Sequence, residues 1–242
     1  SLTNYYNLER SLVDHTASGF LHLAFEHDLS PSIRYNLAAT YSSRTFERQD
    51  AFFEDDWMSY VDRDKNAMFD RGDWLSKFQG PSPHSVVLHF VLQAPGSPNN
   101  NYARNSQIGI ALDGGLTMRP ATQWQVQIGG SYSRWRLRLF EINNIAAYMV
   151  TRFGGDGMSP REYPDETART AELSHFGRIK AYGYDIDGKR HDEGWAGPRE
   201  PSFGALFMQN TFHANKLTVN AGLRFERIDL NAPAIVDLLN AP

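Results

Sequence analysis

Long segments in which apolar and polar residues alternate restrict the fold of this chain more than any other feature. Successive side chains of a β-strand point to opposite faces, so a period of two marks a strand with one apolar face. Residues 33–44 show the pattern, with Tyr35, Leu37 and Tyr41 separated by mostly polar residues. The alternating segments run well beyond the usual five to six or so residues and match the ~9 to 11 of a tilted membrane-spanning strand.

The alternating segments form three pairs, each joined by a short turn, which predicts three antiparallel hairpins. The hairpins are expected at about 19–44, 106–140 and 202–229. The second turn is predicted at residues 119–121, where Pro120 interrupts the pattern. The links between hairpins are much longer, at about 47–104 and 142–200.

Alternation alone does not say which face meets water, because a soluble barrel or sandwich hides its apolar face and a membrane barrel exposes it to lipid. Strand length and the combination of short turns with long links favour the membrane. So do Tyr41, Tyr132 and Phe225, each about ten residues past its turn, where an aromatic girdle is expected. The predicted fold is all-β: an antiparallel up-and-down transmembrane β-barrel, here a partial barrel of about six strands with long extracellular loops.

Composition excludes several classes of function. The 24 Lys and Arg against 28 Asp and Glu give a net charge of −4, so a nucleic-acid partner is not expected. With no cysteine, the chain has no disulfide, thiolate zinc site or cysteine nucleophile. No apolar run approaches the ~20 residues of a transmembrane helix. The absence of a recognisable signal peptide or plug leads us to expect a fragment of a longer protein.

Four short segments are similar in sequence to a late barrel hairpin of a known family. They are Gly183-Tyr184-Asp185, Gly197-Pro198-Arg199, residues 203–210 and residues 219–225. They resemble the TonB-dependent receptors, in particular the Oar-like group related to carriers of a carboxypeptidase-regulatory-like domain. Family members usually have an acidic residue where Asn210 stands. Residues 55–60 and 137–141 resemble mid-barrel segments of the same group.

The resemblance implies a bacterial outer-membrane protein with a barrel of about 22 strands and a plugged lumen. Its function would be TonB-dependent active uptake of an extracellular ligand such as a siderophore, glycan or peptide. This chain would supply barrel wall and extracellular loops, in contact with outer-membrane lipid and lipopolysaccharide. The TonB complex would act through parts of the protein outside this chain.

Three arginines follow the aromatic position of the second hairpin. Arg134, Arg136 and Arg138 share one parity, and their guanidinium groups could meet lipopolysaccharide phosphates. They could equally be solvated, or a bulge near Ser133 could turn them inward.

Aromatic residues in the long links are candidate ligand contacts, because exposed rings above acidic groups suit a sugar or an aromatic siderophore. The candidates are Trp57, Tyr60, Tyr184 and Trp195. Packing of loop against loop is the alternative explanation for the same residues.

No catalytic residue, metal site or cofactor site is predicted. Asp185, Asp187 and Asp192 offer oxygen ligands, but a solvated turn explains them better, and no nucleophile elbow is present. We therefore do not expect an enzyme. Two other classes remain open: a soluble ligand-binding β-barrel or sandwich, and an outer-membrane β-barrel enzyme.

Overall fold

The computed structural model describes residues 12–51, 53–58, 85–87, 90–92, 101–143, 145, 148, 179–194 and 196–231. The strands in this part are β1 (Leu12–Ser30), β2 (Ile33–Asp50), β3 (Ser85–Val87), β4 (Phe90–Leu92), β5 (Tyr102–Ala121), β6 (Trp124–Ile142), β7 (Lys180–Tyr182), β8 (Ser202–Ala214) and β9 (Leu217–Asp229). Six are long, as the alternation predicts. No helix in these residues has the length and hydropathy needed to cross a membrane.

Seven strands form one antiparallel sheet. Its order is β1-β2-β5-β6-β8-β9, and the short β7 pairs with the far end of β6. β3 and β4 form a separate two-stranded sheet inside the first long link. Within the described residues β1 and β9 do not pair with each other, so the sheet is open.

The ladders extend past the apolar segments that predicted them. The first hairpin pairs from Leu12 with Asp50, beyond the predicted range 19–44. Backbone hydrogen bonds do not depend on side-chain polarity, so pairing continues where alternation fades. The second turn also differs, because β5 continues through residues 119–121 with an irregularity and the chain reverses at residues 122–123. Pro120 cannot donate to the ladder, which accounts for the irregularity.

The register divides the sheet into an apolar face and a polar face that run from β1 to β9. The apolar face presents Leu23, Leu37, Ile110, Ile128, Met208 and Leu223, all exposed. The polar face presents Asn36, Thr40, Gln127, Ser131, Gln209 and Asn220. Most of the sheet is therefore a single layer whose large apolar side chains face outward.

The exposure of the two faces varies along β2. In the middle of the strand Leu37 on the apolar face is exposed, whereas Ala38 and Thr40 on the polar face are half-buried. Nearer the turn the order is reversed, because Asn36 on the polar face is exposed and Tyr35 on the apolar face is half-buried.

Two aromatic rings lie flat across glycines on the polar face. Trp135 is directly opposite Gly109, and a Cβ on that glycine would lie 2.5 Å from the indole ring. Phe207 is directly opposite Gly129, where a Cβ would lie 2.5 Å from the phenyl ring and 2.9 Å from the carbonyl oxygen of Gly114. Each ring occupies the space that the missing side chain leaves, an arrangement that pins strand register.

Gly129→Ala should lower the unfolding free energy of the protein by roughly 1–3 kcal/mol, because the added methyl group forces the Phe207 ring and a neighbouring carbonyl to move. Urea unfolding followed by tryptophan fluorescence measures the change. Gly204→Ala on β8 is the matched control, since its Cβ meets nothing within 4 Å. Equal effects of the two substitutions would show that ring packing on glycine does not stabilise the sheet.

Candidate functional site

An aromatic residue occupies the same position on the second strand of each hairpin. Tyr41, Tyr132 and Phe225 are each the ninth residue of their strand and lie on the apolar face. Their exposed fractions are 46%, 42% and 70%. The same strands begin with Ile33, Trp124 and Leu217. On each of these strands the apolar residues form a band on the apolar face. The band begins with an apolar residue at the turn and ends with an aromatic residue eight positions later.

The aromatic positions step along the sheet by one residue per strand. Tyr41 is paired with Ile110 of β5, and Ile110 is paired with Arg134 of β6. Tyr132 therefore lies two residues closer to the turn of its hairpin than Arg134, the residue level with Tyr41. The same step separates Tyr132 from Phe225, and the first residues of the three strands are offset equally. With a rise of ~3.3 Å per residue and a spacing of ~4.8 Å between strands, a line through the three aromatic residues makes an angle of about 35° with the direction perpendicular to the strands. That angle is within the usual strand tilt of a barrel.

The arginine ladder, Arg134, Arg136 and Arg138, follows on the apolar face of β6. The β5–β6 register continues here without a shift, so no bulge turns these residues to the polar face. Glu200 accepts hydrogen bonds from Arg134 and from Arg136, and Asp192 accepts one from Arg138. All three guanidinium groups therefore have carboxylate partners, although the side chains of Arg134 and Arg136 remain about half exposed.

A tight turn at residues 183–191 covers Arg138. The Nη1 atom of Arg138 donates to the carbonyl oxygen of Gly183 at 2.9 Å, and the N–H of His191 donates to the same oxygen at 3.1 Å. Gly183 has a φ of +73°, and a Cβ there would lie 2.5 Å from Arg138 Cγ. Only glycine combines this backbone conformation with this close approach. Arg138 is consequently 9% exposed, the most buried member of the ladder.

The acidic residues of this turn stabilise it through the backbone. Asp185 Oδ1 accepts hydrogen bonds from the N–H groups of Asp187 and Lys189 at 2.9 and 2.8 Å. This is the turn that the sequence favours as the explanation of these acidic residues. Within the described ranges, no group of three or more His, Cys, Asp or Glu is placed to hold a metal ion.

A hydrophobic core, here called the cap cluster, lies on the apolar face beyond the arginine ladder. Its buried members are Trp57, Tyr102, Phe140, Ile142, Ile145, Tyr148, Ile179, Tyr184 and Ile186. Two candidate ligand-contact residues belong to it, Trp57 at 6% and Tyr184 at 2% exposure. Their rings pack on Phe140, which is the loop-packing arrangement. Tyr60 and Trp195 lie outside the described residues.

Ion pairs hold the first long link onto the sheet beside the cap cluster. Arg104 Nε donates to Glu47 Oε1 at 2.7 Å, and its Nη2 donates to Asp55 Oδ1 at 2.5 Å. The hydroxyl of Tyr102 donates to the same Asp55 oxygen at 3.3 Å. Since Asp55 is two residues from Trp57, these bonds position the indole within the cluster.

The polar face has a small hollow near the short turns, with a volume of about 170 Å³. Its charged groups already have hydrogen-bond partners, because Arg34 Nε donates to Asp28 at 2.6 Å and Arg119 Nε donates to the neutral amide of Gln125 at 3.3 Å. It is smaller than the ~300 Å³ at which small-molecule pockets usually begin.

Sequence reasoning missed three aromatic residues of the polar face, namely Trp135, Phe203 and Phe207. Phe203 lies opposite Ser133 and Ile228 and is 40% exposed. For Trp135 and Phe207 the signal is a glycine at the paired position of the neighbouring strand. That glycine can be recognised only once the strand register is known.

Acidification should loosen the attachment of residues 183–194 and 196–200 to β6. Hydrogen bonds from Arg136 and Arg134 hold the pKa of Glu200 below its ordinary value, and Arg138 does the same for Asp192. A carboxylate with a depressed pKa stabilises the folded state above its unfolded pKa, and that contribution is lost as pH falls through the folded value. Protection of residues 183–194 and 196–200 against hydrogen exchange, relative to the intrinsic rate at each pH, should therefore fall below about pH 4.

The Glu200→Gln variant provides the control for this prediction. It removes one titrating group, so the pH dependence of exchange should become shallower while the remaining Asp192 contribution persists. An unchanged profile in the variant would contradict a role for Glu200.

Comparisons with known proteins yield no match for the chain. No family model matches it, and neither a curated protein nor a solved structure is significantly similar. Its function is therefore inferred from the geometry of the sheet and from the residues quoted for the TonB-dependent receptors.

Proposed function

We propose that this chain forms wall and extracellular loops of a transmembrane β-barrel in a bacterial outer membrane. The barrel belongs to a TonB-dependent transporter that takes up an extracellular ligand. The observation that carries the proposal is the exposed apolar face, bounded on three hairpins by aromatic residues at the ninth strand position.

The size of the apolar band supports a bilayer as its environment. Eight residues of strand rise about 26 Å, and a tilt of about 35° reduces this to about 22 Å along the membrane normal. Outer-membrane barrels have an apolar band about 25 Å tall with aromatic girdles at its edges. In this orientation the short turns are periplasmic, and the long links, the arginine ladder and the cap cluster are extracellular.

The polar face supports the same orientation. In a closed barrel this face would line the lumen, which is polar in outer-membrane barrels. Acidic and basic groups on it pair with each other, as Arg48 does with Asp14 and Arg34 with Asp28. A lumen lined in this way is wet, and lipid contacts only the apolar side.

One observation favours a second candidate, a soluble ligand-binding β-domain. The cap cluster covers the upper part of the apolar face, so that face does build a water-excluding core at one end. In a soluble domain the whole apolar face would turn inward and be covered. The two candidates therefore predict opposite environments for the same side chains.

Spin-label accessibility distinguishes them, and the absence of cysteine allows single-cysteine labelling of this chain. In the full-length protein in lipid bilayers, labels at Leu37, Ile128 and Val219 should be accessible to lipid-dissolved oxygen.

Labels at the adjacent residues Ala38, Gln127 and Asn220 form the matched set, because they occupy the same strands on the polar face. They should instead be reached by a water-soluble nickel complex. Burial of the first set from both reagents, with water around the second, would rule out the membrane wall and favour the soluble domain.

A further inference from the structure

Beyond the aromatic positions the polar face itself becomes apolar. Side chains on this face lie in rows, each row being the residues that are paired with one another across the strands. The rows through Ser133, Trp135, Leu137 and Leu139 of β6 bring together large apolar residues of β1, β6, β8 and β9. These residues, here called the mouth patch, are Phe20, Trp135, Leu137, Leu139, Phe203 and Ile228. In the proposed orientation the patch lines the lumen near its extracellular mouth.

Much of the mouth patch is open to solvent. Phe20 is 79% exposed, Ile228 is 63% exposed and Phe203 is 40% exposed. The cap cluster does not cover them, because that cluster packs on the opposite face of β6 through Phe140 and Ile142. Neighbouring apolar side chains that are exposed in this way usually mark a binding site.

The charges in the rows of the mouth patch are all basic. They belong to Arg44 of β2 and to Arg199, whose backbone is bridged to that of Leu137. Among the described residues, these rows contain no Asp or Glu. The carboxylate of Asp113 is on the same face, but Asp113 is opposite Ala38. Ala38 is about 20 Å of strand from Arg44. The patch therefore combines apolar surface with positive charge.

Arg44 is the cation of this patch that is available to a ligand. It is exposed, and among the described residues it has no carboxylate partner. By contrast, Arg34 and Arg48 of the same strand and face pair with Asp28 and Asp14. A guanidinium group beside apolar surface and without a counterion is a favourable site for a carboxylate, which it can bind through two parallel hydrogen bonds.

The register places Arg44 next to the largest rings of the patch. Phe20 is paired with Ser42, and Trp135 is level with Ser42 through Gly109 of β5. Since Ser42 is two residues before Arg44, the Cα atoms of Phe20 and Trp135 are about 8 and 12 Å from that of Arg44. One small molecule can therefore reach the guanidinium group and the rings together.

We propose that the mouth patch binds an amphiphilic carboxylate, with its acidic group on Arg44 and its apolar body against Phe20 and Trp135. An apolar molecule without an acid would take water from Arg44 without pairing its charge, and a cation would be repelled. An acid without an apolar body would leave the exposed rings in water. The inference rests on the proposed function, because it places this face in the lumen, and it names the chemical class of the ligand.

The test compares molecules that share one apolar cage and differ in charge: adamantane carboxylate, adamantane carboxamide and adamantyl ammonium. Their binding to the full-length protein in nanodiscs is measured by equilibrium dialysis against empty nanodiscs. The carboxylate should bind about tenfold more tightly than the amide or the ammonium compound. Arg44→Gln should abolish this preference, whereas Phe20→Ala should weaken the carboxylate and the amide alike.

Arg34→Gln and Phe25→Ala are the matched controls, because each removes the same type of residue from the same strand outside the patch. Arg34 is already paired with acidic residues, and Phe25 lies on the apolar face. Both variants should change the affinity for the carboxylate less than about twofold. Absence of carboxylate binding, equal binding of the three molecules, or losses in the controls as large as in Arg44→Gln would overturn the inference.

Brominated lipid separates such a failure from failure of the proposed function. In variants that keep a single tryptophan, it should quench Trp124 on the apolar face and leave Trp135 bright. The reverse result would place the polar face in lipid and refute the membrane orientation itself. The expected quenching without preferential binding of the carboxylate would remove only the ligand site.

Discussion

The uninterrupted hydrogen-bond ladder between long antiparallel strands is the constraint on which the other features depend. Pairing of β5 with β6 runs from Tyr102 and Ile142 to Met118 and Val126 in one register. Because a slip of a single residue would exchange the two faces, this register keeps apolar and polar side chains apart in the part of the sheet between the short turns and the aromatic positions. The aromatic positions and the arginine ladder exist as groups only because the register does not shift between them.

The large-scale features of the fold follow from local sequence. Period-two alternation in residues 33–44 is visible without any tertiary knowledge, because the face that a strand residue occupies is decided by parity. The repeated aromatic position is visible for the same reason. The extension of β1 to Leu12 is not visible in the sequence, because the polar residues there pair through the backbone and show no alternation.

The contacts that complete the site are long-range and have no local signal. Glu200 reaches Arg134 across 66 residues of sequence, and Asp192 reaches Arg138 across 54. Nothing near any of these residues specifies its partner. The same holds for Trp57, whose ring packs against Tyr102, Phe140 and Tyr148, all distant from it in sequence. For such residues the sequence alone allowed more than one environment, solvent or contact with other parts of the chain. The tertiary structure decides which of these environments each residue has.

The position of the cap cluster has a consequence for how such molecules share a membrane. On the proposed orientation the cluster projects from the outer side of the wall, above the lipid, so the molecule is broader outside the bilayer than within it. Two neighbours would meet first at these projections, and their walls would be kept apart by a layer of lipid. The buried aromatic residues of the loops would then act as a spacer that sets the distance of closest approach in a crowded outer leaflet.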